Sequence, residues 1–248
     1  MADYDIYDYS SGQIKPLEIQ KQVKSLLLVQ WAPVGNGLII NYERNLYYKP
    51  TVFADEIALT HDINPAVLNG IPDWVYEEEV FASNSAAWFS PDGKKLAFIR
   101  FDDSPTQLMN FPVYGEAGDL RFQYPFNRVV PYPKAGSPNP RVKLFTSDLE
   151  SAVAGSGDHL TEIPVPSALN TEGDYLITVV GWLNNTNVMS VWMNRIQNSA
   201  HIQIFNGLSR QRVSTSAAFF FFFIYLFIFF VSRNTHIYIL SYTYNILH

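Results

Sequence analysis

Three consecutive carboxylates, Glu77, Glu78 and Glu79, stand inside the aromatic and apolar stretch "DWVYEEEVF", Asp73 to Phe81. So much negative charge between Trp74, Val75 and Tyr76 on one side and Val80 and Phe81 on the other suits either a solvated face or a site built for a cation. The backbone decides what the run can do. On a strand, successive side chains point to opposite faces and cannot act together. On a helical turn neighbours fan out by about 100°, so two adjacent carboxylates converge only on something held in the wedge between them. An ammonium placed there receives charge-assisted hydrogen bonds from both and relieves their mutual repulsion. A solvated helix face is the plainer reading of the same residues, and the local sequence leaves both open.

Other candidate chemistry is sparse. There is no cysteine, which excludes a disulfide framework, a thiolate metal site and a cysteine nucleophile. The five histidines, His61, His159, His201, His236 and His248, lack metal-ligand spacing and read as surface or loop residues, so no metal or cofactor is expected. Asn184-Asn185-Thr186 fits the N-glycosylation sequon, with Asn184 as acceptor if the chain enters the secretory pathway. Asp102-Asp103, at the end of a strand-like segment, reads as a solvated turn. No Gly-x-Ser-x-Gly elbow occurs, so the sequence offers no hydrolase nucleophile of that type and no catalytic residue is assigned. Net charge is -6 with scattered basic residues, which argues against a nucleic-acid partner.

The elements that would position these residues are short strands. "DYDIYDYSSGQIKPL" alternates and breaks at Ser10-Ser11-Gly12, the pattern of a hairpin. "LLLVQWAPVGNGLIINYERNLYYK" predicts a strand to Trp31, a turn over Pro33 to Gly37, a strand Leu38 to Tyr42 and another at Leu46 to Lys49. The same grammar returns in "AAWFSPDGKKLAFIRFDD", with Trp31 and Trp88 57 residues apart (88 minus 31), and more weakly around Trp182. Repetition of such units predicts an all-β propeller, each sheet needing its neighbours to cover its faces. A β-sandwich with accidentally similar hairpins is the competing architecture.

Composition changes at Arg212. From Val213 to His248 there is no Gly, Pro, Asp, Glu or Lys, and eight of the 18 phenylalanines lie there. The sequence thus divides into a body, 1–212, and a Phe-rich tail, 213–248. The apolar run 217–231 is short of the about 20 residues a helix needs to cross roughly 30 Å of hydrocarbon, so a membrane contact there would be marginal. The alternative is translated non-coding sequence, since GTGAGT, a splice-donor sequence, encodes Val213-Ser214. The start, "MADYDIYDYSS", lacks the basic and apolar regions of a signal peptide.

Together, "DWVYEEEVF", "WFSPDGKKLAFIRFDD", "VVPYPKAGSPNPRVKLF" and "WMNRIQN", in order from about Tyr4 to about Asn206, resemble the N-terminal β-propeller of the dipeptidyl peptidase IV family, serine exopeptidases of the prolyl oligopeptidase group. The resemblance implies about three blades of an eight-bladed propeller, with a short helical insertion carrying the glutamates. It implies that Glu78 and Glu79 bind the free α-ammonium of a peptide substrate, so that dipeptides are released from N-termini. It further implies a plasma-membrane or secreted setting and a tendency to homodimerise. Tyr132 to Gly136, the family's Tyr-Pro-Lys-Ala-Gly signature, is expected to be a structural connection, with Pro131 and Pro133 enforcing extended backbone. The hydrolase domain and the arginine that assists the glutamates in the family have no counterpart in the sequence. The chain alone is therefore expected to be inactive, with a non-enzymatic interaction or membrane-tethered module as the alternative.

Overall fold

The structure is a computed structural model that describes residues 3–21, 25–169 and 174–206. The first hairpin forms where alternation places it: β1 (Asp5–Asp8) pairs with β2 (Gln13–Pro16), and Gly12, at φ 68, takes the left-handed turn position. Then come β3 (Leu28–Trp31), β4 (Leu38–Tyr42), β5 (Asn45–Lys49) and β6 (Ile57–Ala58), an antiparallel four-stranded sheet in sequence order.

The second sheet is built differently. It contains β7 (Val67–Asn69), β8 (Ala87–Phe89) and β9 (Lys95–Asp102). Beyond a separate hairpin of β10 (Leu108–Val113) and β11 (Phe126–Pro131) it is completed by β12 (Arg141–Asp148) and β13 (Leu160–Ile163), with the short helix α1 (Leu149–Val153) between those two. Strands β7 and β8 lie end to end along one side of β9, the first against Arg100 to Asp102 and the second against Leu96 to Phe98. One edge strand has thus been cut in two, and residues 71–85 loop out of the cut. Gly70 N–H donates to Ile99 O (2.9 Å), Ile99 N–H to Ala86 O (3.0 Å) and Ala86 N–H to Gly70 O (2.9 Å), which closes the base of the loop. A third sheet follows: β14 (Tyr175–Trp182), β15 (Val188–Asn194) and β16 (Ala200–Phe205).

The repeat is real in space. Trp31 and Trp182 end the first strand of a hairpin and Trp88 stands one residue before the end of one, ahead of the turns into β4, β15 and β9, and Trp182 Nε1 donates to Trp88 O at 2.8 Å. The sheets stack face to face, which explains the near-continuous apolar run in β9. Leu96 and Phe98 join the core shared with Ile39 and Leu46 of the first sheet. Their neighbours Ala97, Ile99 and Phe101 join the core shared with Ile177, Val191 and Trp192 of the third. The period of two sorts one strand's side chains between two interfaces, the arrangement of a partial propeller. A polar network also crosses the first interface. Arg100 holds Asp62 through Nη2 (2.7 Å) and Nε (3.1 Å), Asn69 Nδ2 donates to Asp62 Oδ2 (3.0 Å), and Asn41 Nδ2 donates to Asn69 O (2.8 Å).

Two expectations about single residues need correction. Asp102-Asp103 is not a solvated turn: Asp102 ends β9 half-buried, and Asp103 is only 7% exposed. His201 is not a surface or loop residue, because its place in β16 opposite Trp192 buries it; His61 is exposed as expected. His236, His248 and the tail, including the 217–231 run, lie outside the described residues. Among the described residues no helix is long and apolar enough to cross a membrane.

Candidate functional site

The excursion between β7 and β8 carries the glutamates, and its shape follows from the bonds that open and close its one helical turn. Asp73 opens the turn in the manner of a helix cap, its Oδ2 accepting from Val75 N–H (3.0 Å) and its Oδ1 from Tyr76 N–H (3.3 Å). Glu77 N–H donates to Asp73 O (2.9 Å), an ordinary helical bond, but Phe81 N–H reaches back to Tyr76 O (2.8 Å), a five-residue, π-type closure. The turn over Tyr76–Val80 is therefore wider than an α-turn, and neighbouring side chains fan out by less than the about 100° expected. Ala82, at φ 49, ends it in the left-handed region.

Tyr76 fixes the turn to the core. Its side chain is fully buried, 4.9 Å edge-on from Phe101 and 5.5 Å from Phe81, and its phenol oxygen accepts from Ile177 N–H (3.2 Å). Burial pushes the phenol's pKa upward, so it stays neutral. Trp74 tilts against Tyr132 at 4.8 Å, and Phe81 meets Trp88 edge-on at 5.7 Å. On the first-sheet side, Ser85 Oγ donates to Gln30 Oε1 (3.1 Å).

Against this anchored base Glu77, Glu78 and Glu79 all point outward and are exposed, and none forms an ion pair with a described residue. The helical setting expected for the glutamates is present: Glu78 and Glu79 are adjacent on one turn. Among the described residues no group of His, Cys, Asp or Glu is arranged to hold a metal ion. The turn is assembled with other motifs of the resemblance. Tyr132 reaches it through Trp74, and Arg195 of "WMNRIQN" donates to Ser137 O (2.5 Å), just past Gly136, and to Asp174 Oδ2 (2.7 Å). Asn184 lies apart, exposed in the β14–β15 turn, its Oδ1 accepting from Thr186 N–H (2.9 Å), Thr186 Oγ1 (3.0 Å) and Asn187 N–H (2.8 Å).

The model of the family described as "Dipeptidyl peptidase IV (DPP IV) N-terminal region" matches residues 1–242. This chain belongs to the dipeptidyl peptidase IV family. It is 36% identical over 220 residues to dipeptidyl peptidase 4 of Felis catus, covering 87% of the chain and 28% of that protein. It is 38% identical to venom dipeptidyl peptidase 4 of Vespa velutina, covering 82% and 26%. To a Mus musculus protein named inactive dipeptidyl peptidase 10 it is 37% identical, covering 79% and 24%. Among solved structures, dipeptidyl peptidase 4 of Porphyromonas gingivalis superposes with a TM-score of 0.68 at 26% identity, covering 86% of this chain and 29% of that one. The chain thus spans about a quarter of the length of these relatives.

The sequence reading missed the support of the site. Asp73 and Tyr76 were given no role and Asp103 was read as part of a solvated turn, although an aspartate at the head of a helical turn is a legible capping signal. The burial of Asp103 and the reach of Tyr76 to Ile177 depend on contacts far apart in sequence, and no local pattern reports them.

Proposed function

We propose that this chain is the N-terminal propeller portion of a dipeptide-releasing exopeptidase, and that Glu78 and Glu79 bind the α-ammonium of a peptide. The observation that carries this reading is the pairing of opposites in one short turn: outward carboxylates without a counter-cation among the described residues, on a base buried in the core. A solvated acidic face needs no such base. A site that measures distance from a peptide's first nitrogen does, because an anchor that moved would not set which amide bond is presented elsewhere. The chain carries no Gly-x-Ser-x-Gly elbow, so bond cleavage belongs to another domain or chain, and the part played here is recognition.

The test is binding. A peptide with a free N-terminus and its N-acetylated twin are titrated into the chain by calorimetry. The free peptide binds and the acetylated one does not; Glu78→Gln or Glu79→Gln weakens the free peptide about 10- to 100-fold, the loss of one charge-assisted bond. Equal binding of both peptides, or binding unchanged in both variants, refutes the reading.

A second reading, a non-enzymatic interaction module, is favoured by the β10–β11 hairpin. Among the described residues it forms a two-stranded sheet of its own and exposes Leu108, Tyr114, Leu120 and Tyr124 at 65–85%. Such a surface suits contact with a second copy of the chain. Sedimentation of the chain against a hairpin-deleted variant decides it: the same association state in both excludes the hairpin as a dimer contact.

A further inference from the structure

Two acids are buried at the second sheet, one at the head of the glutamate turn and one just past the end of β9. Asp73, 2% exposed, uses both carboxyl oxygens to cap the turn. Asp103, 7% exposed, donates its N–H to Ala66 O (2.9 Å) and receives Thr106 N–H on its backbone carbonyl (2.9 Å). Its carboxyl Oδ1, however, is buried without a hydrogen-bond partner among the described residues, as is the Thr106 hydroxyl oxygen. The charged and titratable groups bearing on the pair are Glu77 on the turn, Asp102 on β9 and the Tyr76 phenol, which Asp174 and Tyr175 also reach from the third sheet. None is a cation.

Two buried acids that act on each other do not both ionise readily. Burial pushes Asp73 up to about 6. Burial first, and the like charges of Asp73 and Asp102 after it, push Asp103 up to about 7. The carboxyl with backbone donors keeps the charge, and the one without them keeps the proton.

We propose that Asp73 and Asp103 are positioning residues for Glu78 and Glu79: while Asp103 holds its proton, the Asp73 carboxylate fixes the first turn through the Val75 and Tyr76 amides, and loss of that proton sets two like charges together and loosens the cap. The consequence for amine binding rests on the function proposed above; the state of the cap does not. A peptide amine is gripped best at mildly acidic to neutral pH, and the grip weakens as pH rises even for a ligand that stays charged.

The experiment follows the Val75 and Tyr76 amide resonances of the full chain from pH 4.5 to 8.5. In the wild type both amides shift in two steps, near pH 6 and near pH 7. Asp103→Asn leaves one step, and Asp73→Asn leaves none. A single wild-type step near the ordinary carboxylate value of about 3.9, or a profile unmoved by Asp103→Asn, overturns the proposal. Should Asp103→Asn fail to fold, the wild-type profile decides, since lack of its second step is fatal. In parallel, a peptide with a γ-aminobutyryl N-terminus, whose amine resembles that of lysine at about 10.4, binds about three-fold more weakly at pH 8.5 than at 6.5, and equally at both in Asp103→Asn. No binding of this or an α-amino peptide at either pH refutes the glutamate reading, while the amide titration still decides the aspartate pair.

Discussion

The second sheet carries two insertions that are alike at the base and opposite in everything else. The glutamate excursion leaves and returns between Gly70 and Ala86, joined by a 2.9 Å hydrogen bond; the β10–β11 hairpin leaves and returns between Gln107 and Tyr132, joined by one of 2.8 Å. Chain connectivity would allow either to be cut out. The excursion, however, drives Tyr76 into the core between two sheets, whereas the hairpin turns Leu120, Tyr124 and Phe126 to solvent and pairs only with itself. The comparison separates two uses of an insertion. One that must hold a geometry is nailed to the core behind its working face, and one that offers a surface is not. Excising each in turn is the largest test of that contrast. Replacing 108–131 by a two-residue turn is expected to leave the denaturation midpoint close to wild type, and joining Gly70 to Ala86 is expected to abolish cooperative unfolding.

Single residues sharpen the same contrast. Tyr76→Ala should cost about 3–5 kcal/mol, the range for emptying a buried aromatic site. Tyr124→Ser at the exposed hairpin should stay within about 0.5 kcal/mol. Tyr76→Phe separates ring from hydroxyl: it keeps the packing and strands Ile177 N–H, for about 1–2 kcal/mol. Urea denaturation orders the three variants, and Tyr76→Phe as damaging as Tyr76→Ala would place the anchoring in the hydrogen bond alone. Gly70→Ala tests the base of the excursion. At φ 68, with an added Cβ only 2.6 Å from Leu46 Cδ1, it should lose about 2–4 kcal/mol from strain and overpacking.

The alternation around β1 and β2, the Trp31 and Trp88 hairpins and the all-β class were legible because each rests on residues close in sequence. The helical setting of Glu78 and Glu79 came with the resemblance, since a five-residue run has no period of its own. What stayed hidden was long-range. Nothing near Asp103 reports that its N–H will meet Ala66 O, 37 residues earlier (103 minus 66), or that it will be buried, so its place after a strand suggested a turn in water. His201 was misplaced for the same reason: a lone histidine reads as surface until the strand that carries it is known to pack on both faces. The splitting of one edge strand into β7 and β8 was equally unreadable, because the two pieces are separated by 17 residues (70 to 86) and are aligned only by β9.

A smaller effect than core loss distinguishes the buried acids from the exposed ones. Asp73 and Asp103 have folded pKa values raised above the unfolded carboxylate value, so the folded chain binds more protons between the two. Their contribution favours folding below about pH 4 and is lost as pH rises through about 6 and then about 7. Asp103→Asn removes the later part of that loss. It should therefore be more stable than wild type at pH 8 by about 1–2 kcal/mol, a figure below the full shift because the pair is coupled and solvent still reaches it in part. The advantage should fade as pH falls toward 4. Thermal melts of both proteins across that range check the sign, and an advantage that grew on acidification would mean that Asp103 is ionised throughout.

The smallest expected change in stability is at the glutamates themselves. Glu78 and Glu79 are exposed and form no ion pair with a described residue, so Glu78→Gln and Glu79→Gln remove like-charge repulsion along the Glu77 to Glu79 run and break no contact among those residues. Melting temperature should be unchanged or slightly raised, while affinity for a free peptide amine falls. That combination is the mark of residues held for a ligand, since charge kept for the fold would lower both together. A clear loss of stability in either variant would move the carboxylates from the working face of the turn to its support, and would erase the difference between this insertion's two sides.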